Sequence, residues 1–278
     1  MLSYRHAFHA GNHADVLKHI VLTLALDHLK QKPKPLWYID THAGAGRYAL
    51  ASAEAKKNAE YRDGIARLLE HRAELPPSLA PYLAAIDGDN SAELQHYPGS
   101  PLFAAHGLDA SDRLRLFEMH PQDHTLLEQA FAADRRVVIS AGDGFAGLKA
   151  LLPPPPRRAL VLIDPPYELK EDYARAVDAL RDSLRRFATG VYMLWYPLLA
   201  RSESRRLPQQ LAALQAHALR IELQVRSEPR EFGMFGSGMW VINPPWRLRE
   251  QMQELLPLLQ RLLGVDGETA FVLEEHGG

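Results

Sequence analysis

The 278-residue chain contains no cysteine. That excludes disulfides, thiolate metal sites and a cysteine nucleophile, and it fits a reducing compartment. No apolar run approaches the roughly 18 residues a membrane-spanning helix needs. The start is polar and histidine-rich, unlike the basic-then-apolar pattern of a secretory leader. A cytoplasmic protein with no membrane partner is the expectation. Nor is one sign of charge in excess: 32 Lys and Arg against 34 Asp and Glu leave a formal net charge of −2. Global attraction to a polyanion is therefore excluded, and any nucleic-acid contact must come from a local basic face. Internal repeats are also lacking. What is present is an ordinary balance of 46% hydrophobic and 24% charged residues, enough for a real core in one large domain or one domain with a sizeable insertion.

Residues 14–30, "ADVLKHIVLTLALDHLK", carry apolar positions at helical spacing, and Lys32-Pro33-Lys34-Pro35 ends the helix. "LWYID" (36–40) reads as a buried strand running into a glycine-rich turn. Strand-like "RLRLFE" (113–118), "RRVVIS" (135–140) and "ALVLID" (159–164) follow at intervals of about twenty residues. "TGVYMLWYP" (189–197), "ALRIELQV" (218–225) and "GMWVIN" (238–243) are three further strand candidates, and Pro153–Pro156 reads as a stiff linker. Strands alternating with helices predict a mostly parallel α/β sheet covered on both faces. Ligands in such sheets sit beyond the carboxyl ends of the strands. Those ends here carry Asp40, Glu118, Asp143 and Asp164.

After the first strand comes "DTHAGAGRY" (40–48), in which Gly44 and Gly46 allow close backbone approach to a ligand. Class I methyltransferases using S-adenosylmethionine carry an acid and alternating glycines in this place; here His42 stands where the first glycine would be. Alone, the turn is equally an ordinary loop. Glu118 suits a carboxylate gripping ribose hydroxyls, or a solvated strand end. "GDGF" (142–145) offers Asp143 and the Gly144 backbone to an adenine edge, or is a plain turn. Their order along the chain says more than any one of them.

"LIDPPYE" (162–168) is the sharper signal. An Asp-Pro-Pro-aromatic run at a strand end recurs in methyltransferases acting on planar amino nitrogens. Such a nitrogen is a poor nucleophile because its lone pair is delocalised into the ring. A carboxylate and a rigid backbone carbonyl can accept both N–H bonds and draw the nitrogen toward tetrahedral geometry, and prolines bring no competing N–H. Asp164 is the candidate catalytic acceptor, Pro165 the carbonyl, and Tyr167 the ring that stacks on the extracted base. A second run, Asn243-Pro244-Pro245-Trp246, follows a later strand; asparagine cannot take a proton, so this reads as a structural exit. The preceding "FGMFGSGM" (232–239) reads as a mobile hairpin loop.

From Asp40 to Glu118 is 78 positions, far more than the roughly 30 residues of a βαβ unit. The surplus places a small helical insertion at 51–96, with core at 1–50 and 97–278. Ser100-Pro101 reads as a helix start, N-cap then first-turn proline. Residues 1–19 also hold four of the thirteen histidines. Gly11-Asn12 between His9 and His13 argues for a loop, so no metal site is expected there. Arg5 and Lys18 read as phosphate-seeking charges beside a stacking ring at Tyr4.

Taken together, "LSYRHAFHAGNHADVLKH", "DTHAGAGRY", "YPGSP", "LIDPPYE", "RFATGVYMLWYP" and "SGMWVINPPW" resemble the bacterial large-subunit ribosomal RNA adenine-N6 methyltransferases of the RlmJ type, over nearly the whole length. The resemblance implies a Rossmann-like methyltransferase fold with an inserted helical subdomain, and S-adenosylmethionine as methyl donor with no metal. It implies cofactor contacts at His19, His42, Ser100, Glu118, Asp143, Gly144 and Asp164, with Asp164 also catalytic, and Tyr4 meeting the RNA. The implied partner is 23S ribosomal RNA, naked or in an early assembly intermediate, with no obligate protein partner. Two rivals stay open on the residues. One is an amino-methyltransferase for DNA adenine or cytosine, or for protein glutamine. The other is a non-catalytic RNA-binding protein with a decayed methyltransferase fold.

Overall fold

The computed structural model describes residues 5–91, 93–229 and 233–277. Helix α1 (His13–Lys30) leads into strand β1 (Trp37–Asp40) and the short β2 (Arg47–Ala49). Three small helices follow: α2 (Ala53–Asn58), α3 (Ile65–Glu70) and α4 (Ala80–Asp89). Strand β3 (His96–Pro98) then pairs antiparallel with β2 and closes this segment. The chain continues through α5 (Ser100–Gly107), β4 (Arg113–Phe117), α6 (Pro121–Ala130), β5 (Val137–Ser140), α7 (Gly144–Leu151) and β6 (Ala159–Ile163). It ends with α8 (Glu171–Arg186), β7 (Val191–Leu199), α9 (Ser202–Ala212), β8 (Ala218–Gln224), β9 (Met234–Ile242), α10 (Leu248–Leu263) and β10 (Ala270–His276).

The main sheet has eight strands in the order β10-β8-β9-β7-β6-β1-β4-β5. From β5 to β7 the pairings are parallel, and β9 enters antiparallel between β7 and β8. Adjacent strand residues alternate between two cores. Tyr38, Leu114, Leu116, Leu160 and Leu162 pack with α1, α5 and α10; Ile39, Phe117, Val161 and Ile163 pack with α7, α8 and α9. Burial on both faces is why "ALVLI" and "WYID" read as unbroken apolar runs. This is the Rossmann-like arrangement, and it puts the ends of β1, β4, β5 and β6 along one edge.

Two local expectations change. The glycine-rich run at 234–239 is strand, because β9 begins at Met234; residues 230–232 lie outside the described residues. A Cβ at Gly238 would fall 2.5 Å from the Tyr196 ring, and one at Gly236 2.3 Å from the Leu223 carbonyl oxygen. These glycines thus permit close strand packing rather than mobility. Ser100 is the first helical residue of α5, with Gly99 at the cap and no side-chain cap bond; its hydroxyl goes to Asp40 instead. Residues 51–96 are helical, and Ile65, Leu68, Leu79, Tyr82 and Ile86 share one core with α1 and the sheet.

Helix α1 carries the most weight for the site. Asn12 caps it by accepting from the Ala14 and Asp15 amides. Every residue from His13 to Leu26 is buried, so the helix is enclosed all round rather than amphipathic. Its polar residues Asp15, Lys18 and His19 are therefore buried and must find partners inside the protein.

Candidate active site

A cavity of about 620 Å³ opens beyond the carboxyl ends of the parallel strands. That is the size range of small-molecule and cofactor sites. Its walls include His42 and Gly44 after β1, Glu118 after β4, Asp143 after β5, Asp164 to Leu169 after β6, and Trp195 and Arg201 from β7 and its exit. His6, His9, Asn12, Asp15 and Lys18 close the remaining side.

The loops are fixed by bonds between strand ends. The Thr41 amide donates to the Leu162 carbonyl, the Ala43 amide to Phe117, and the Glu118 amide to Ser140. Gly44 has φ +63, and its amide donates to Glu118 Oε2 at 2.8 Å. Oε1 of the same carboxylate accepts from the His120 amide at 2.6 Å. Burial raises the Glu118 pKa, opposed by these two amides. Asp143 caps α7 through the Phe145 amide, and its other oxygen takes Arg175 Nη2 at 2.6 Å. Gly144 has no room for a side chain, since a Cβ would lie 2.1 Å from the Thr41 carbonyl oxygen.

Asp164 Oδ2 accepts from Lys18 Nζ at 2.6 Å, and the same ammonium lies 2.9 Å from Asp15 Oδ1. Burial works against the Lys18 charge, but Asp15 and Asp164 more than offset it and hold the ammonium above the usual lysine range. Burial likewise opposes the Asp15 charge, yet His6 and Lys18 keep its carboxyl well below the usual range. His6 Nε2 and the Gly11 amide meet Asp15 Oδ2 at 2.8 and 2.9 Å. Asp164 Oδ1 has no hydrogen-bond partner among the described residues, and Asp164 is part of the cavity lining. One oxygen is thus anchored and the other can accept a ligand proton or N–H.

The structure brings His42, Gly44, Glu118, Asp143, Asp164, Pro165 and Tyr167 to one cavity, and leaves other expected residues off its wall. His19 is 1% exposed; its Nδ1 meets the Tyr97 hydroxyl at 2.9 Å and its ring packs on Phe103, while Nε2 is buried without a partner. Asp40, Ser100 and Gly144 are also buried behind the wall. Asp40 Oδ2 accepts from Tyr38 and Ser100, Oδ1 accepts from the His42 amide, and burial pushes its carboxyl up to about 6. Burial also pushes the His42 imidazole down to about 4, so the ring beside the cavity is neutral near pH 7. Tyr167, at φ +52, tucks its ring inward: it is 2% exposed, packs on Tyr173, and donates its hydroxyl to the Trp195 carbonyl. Tyr4 lies outside the described residues.

Two residues take roles other than the sequence suggested, Lys18 and Arg5, and two contributors carried no signal, Trp195 and Arg175. Lys18 is no phosphate-seeking surface charge but the buried partner of Asp164. Arg5 pairs with Glu54 and Asp123. Trp195, half-buried at the cavity wall with Lys18 Nζ 5.7 Å from its ring centre, is the more open aromatic there. Arg175 holds Asp143. A lysine and an aspartate three apart in the apolar-periodic part of α1 were the available signal for Lys18. His9 Nδ1 meets Glu60 at 2.9 Å, and His13 is buried at the start of α1. Asn12 Nδ2 also donates to Glu60, at 3.0 Å, so residue 60 clamps the N-terminal arm.

A family model described as "Ribosomal RNA large subunit methyltransferase D, RlmJ" matches residues 33–272. The chain belongs to this family. Two relatives named "Ribosomal RNA large subunit methyltransferase J" agree. The Haemophilus influenzae protein is 49% identical over 277 residues, covering 99% of this chain and 98% of that one. The Escherichia coli protein is 49% identical over 265 residues, covering 95% and 94%. A crystal structure of a Legionella pneumophila protein superposes with a TM-score of 0.90 at 36% identity, covering 96% of this chain and 98% of that one.

Proposed function

We propose that this protein methylates N6 of an adenine in 23S ribosomal RNA, using S-adenosylmethionine. The observation that carries the reading is Asp164 on the cavity wall, its Oδ2 anchored by Lys18 and its Oδ1 without a partner among the described residues, followed by Pro165-Pro166-Tyr167. The donor supplies an electrophilic sulfonium methyl when bound. The residues present suit it. The Gly44 backbone and the Glu118 carboxylate meet at the wall with spare acceptor capacity for ribose hydroxyls, and Asp143 and neutral His42 flank them. Asp40, Ser100, Gly144 and His19 support this wall from behind. Among them the orphaned His19 Nε2 is a donor or acceptor still to be used.

Asp164 Oδ1 and the Pro165 carbonyl accept the two N–H bonds of the adenine amine. Lys18 fixes the Asp164 side chain so that Oδ1 keeps its direction, and Asp164 takes the proton the amine loses. Aromatic support for the base comes from Trp195, the more open ring on this wall, with the buried Tyr167 ring packed beside it. Base extraction is required because the amine of an adenine inside a stack cannot be enclosed by a cavity on the protein. Residues 51–96 act as an inserted helical subdomain that positions the N-terminal arm through Glu60, and Tyr4 on that arm meets the RNA. The substrate is 23S RNA, naked or in an early assembly intermediate.

Asp164→Ala is expected to fold and to bind S-adenosylmethionine, measured by calorimetry, while losing methyl transfer. Near-normal transfer in that variant overturns the assignment. Offering deproteinised rRNA, DNA and protein as methyl acceptors separates the reading from a DNA or glutamine methyltransferase. The partnered Asp164 speaks against a decayed fold, for which calorimetry would give no cofactor binding.

A further inference from the structure

We propose that Leu169 is the wedge that enters the RNA stack as the target adenine leaves it. The proposal rests on the base-extraction reading above. Leu169 lines the cavity, yet it is 61% exposed, among the most exposed large apolar side chains described. It sits at the lip, five residues after Asp164 on the same wall. Five residues span at most about 17 Å, so an adenine amine held at Asp164 keeps its vacated slot within reach of this side chain.

An isolated exposed leucine is common on protein surfaces. The loop that carries this one is tied at several points. Tyr167 adopts φ +52, a left-handed conformation disfavoured for a bulky residue. Its hydroxyl is tied to the Trp195 carbonyl at 2.8 Å, and its own carbonyl accepts from Arg201 Nη1 at 3.3 Å. The Leu169 amide donates to Asp172 Oδ2 at 3.3 Å, and Lys170 pairs with Glu203 at 3.1 Å. An apolar tip on a braced loop beside the acceptor is the form needed to fill a gap between base steps, as inserted leucine does in other nucleic-acid complexes. Met119, 54% exposed on the same cavity, adjoins Glu118 on the proposed cofactor side and serves as the comparison.

The test uses two RNA hairpins carrying the adenine that the wild-type enzyme methylates in a 23S transcript. In one it is stacked between intact pairs, and in the other both flanking pairs are opened by mismatches. Single-turnover methylation by Leu169→Ala should fall about tenfold or more on the stacked hairpin and stay near wild type on the opened one. Leu169→Met should retain the rate on both, Met119→Ala should show no such contrast between hairpins, and S-adenosylmethionine affinity should be unchanged in both Leu169 variants. An unchanged rate for Leu169→Ala on the stacked hairpin, or an equal loss on both, overturns the wedge. Failure of the wild-type enzyme to methylate 23S transcript overturns the function reading, and the wedge with it.

Discussion

Replacing Lys18 by methionine removes the ammonium that bridges Asp15 and Asp164 while keeping most of the volume. At 2.6 Å from Asp164 and 2.9 Å from Asp15, each attraction is about 6 kcal/mol at an effective dielectric near 20. Desolvation of the ammonium cancels much of this, because Lys18 is 4% exposed. What the substitution exposes is the cost of two carboxylates left behind, about 3–5 kcal/mol for a buried pair broken on one side. Asp15 keeps His6 and the Gly11 amide, which places the expectation toward the lower end. Urea unfolding of Lys18→Met should therefore show a loss of about 3 kcal/mol at unchanged slope. Lys18→Met combined with Asp15→Asn should lose clearly less than the sum of the two single changes. Methyl transfer should fall in both variants because Asp164 loses its anchor. A stability within about 0.5 kcal/mol of wild type, or strict additivity in the double variant, would refute the claim that Lys18 is held by both acids.

Asp40 is a carboxyl whose folded pKa is raised, by burial, to about 6 from 3.8. The folded state binds its proton more tightly, so this contribution is full below about pH 4 and is lost as pH rises through 6. The amplitude is about 3 kcal/mol. The difference in unfolding free energy between wild type and Asp40→Asn should change by that order across pH 4–6, and a flat difference would contradict the burial argument. His9 has a raised pKa because it shares a hydrogen bond with Glu60, against the opposing effect of burial. Its contribution is present at low pH and lost as pH rises through that raised value. Glu60→Gln should lower the His9 titration point seen by NMR and loosen the arm toward proteolysis, and an unmoved titration would show that the clamp is not electrostatic.

Much of the fold was legible because the parallel strands are buried on both faces and read as unbroken apolar runs ending in acids. The strand ends accordingly located Glu118, Asp143 and Asp164 at one cavity. Short β2, β3 and the edge strand β10 were missed: β2 and β3 have three residues each, and β10 is largely exposed, so neither carries a strong period. The glycines of β9 looked like a loop because the Tyr196 ring that demands Gly238 comes from another strand. Asp40 and Lys18 were misplaced for one reason: no local pattern tells whether a charge near a strand end or on a helix faces solvent, a cavity or another buried charge. His19 and Ser100 carried no site signal beyond the resemblance, and the structure sets both behind the wall.

The central claim is that Asp164 directs a methyl group onto adenine N6 in 23S RNA. Nucleoside mass spectrometry of 23S RNA from cells lacking this protein tests it most directly, with wild type and Asp164→Ala restored in turn. The account predicts that one N6-methyladenine signal disappears, returns with the wild-type gene and does not return with the variant. An unchanged N6-methyladenine content on deletion, or restoration by Asp164→Ala, would contradict it.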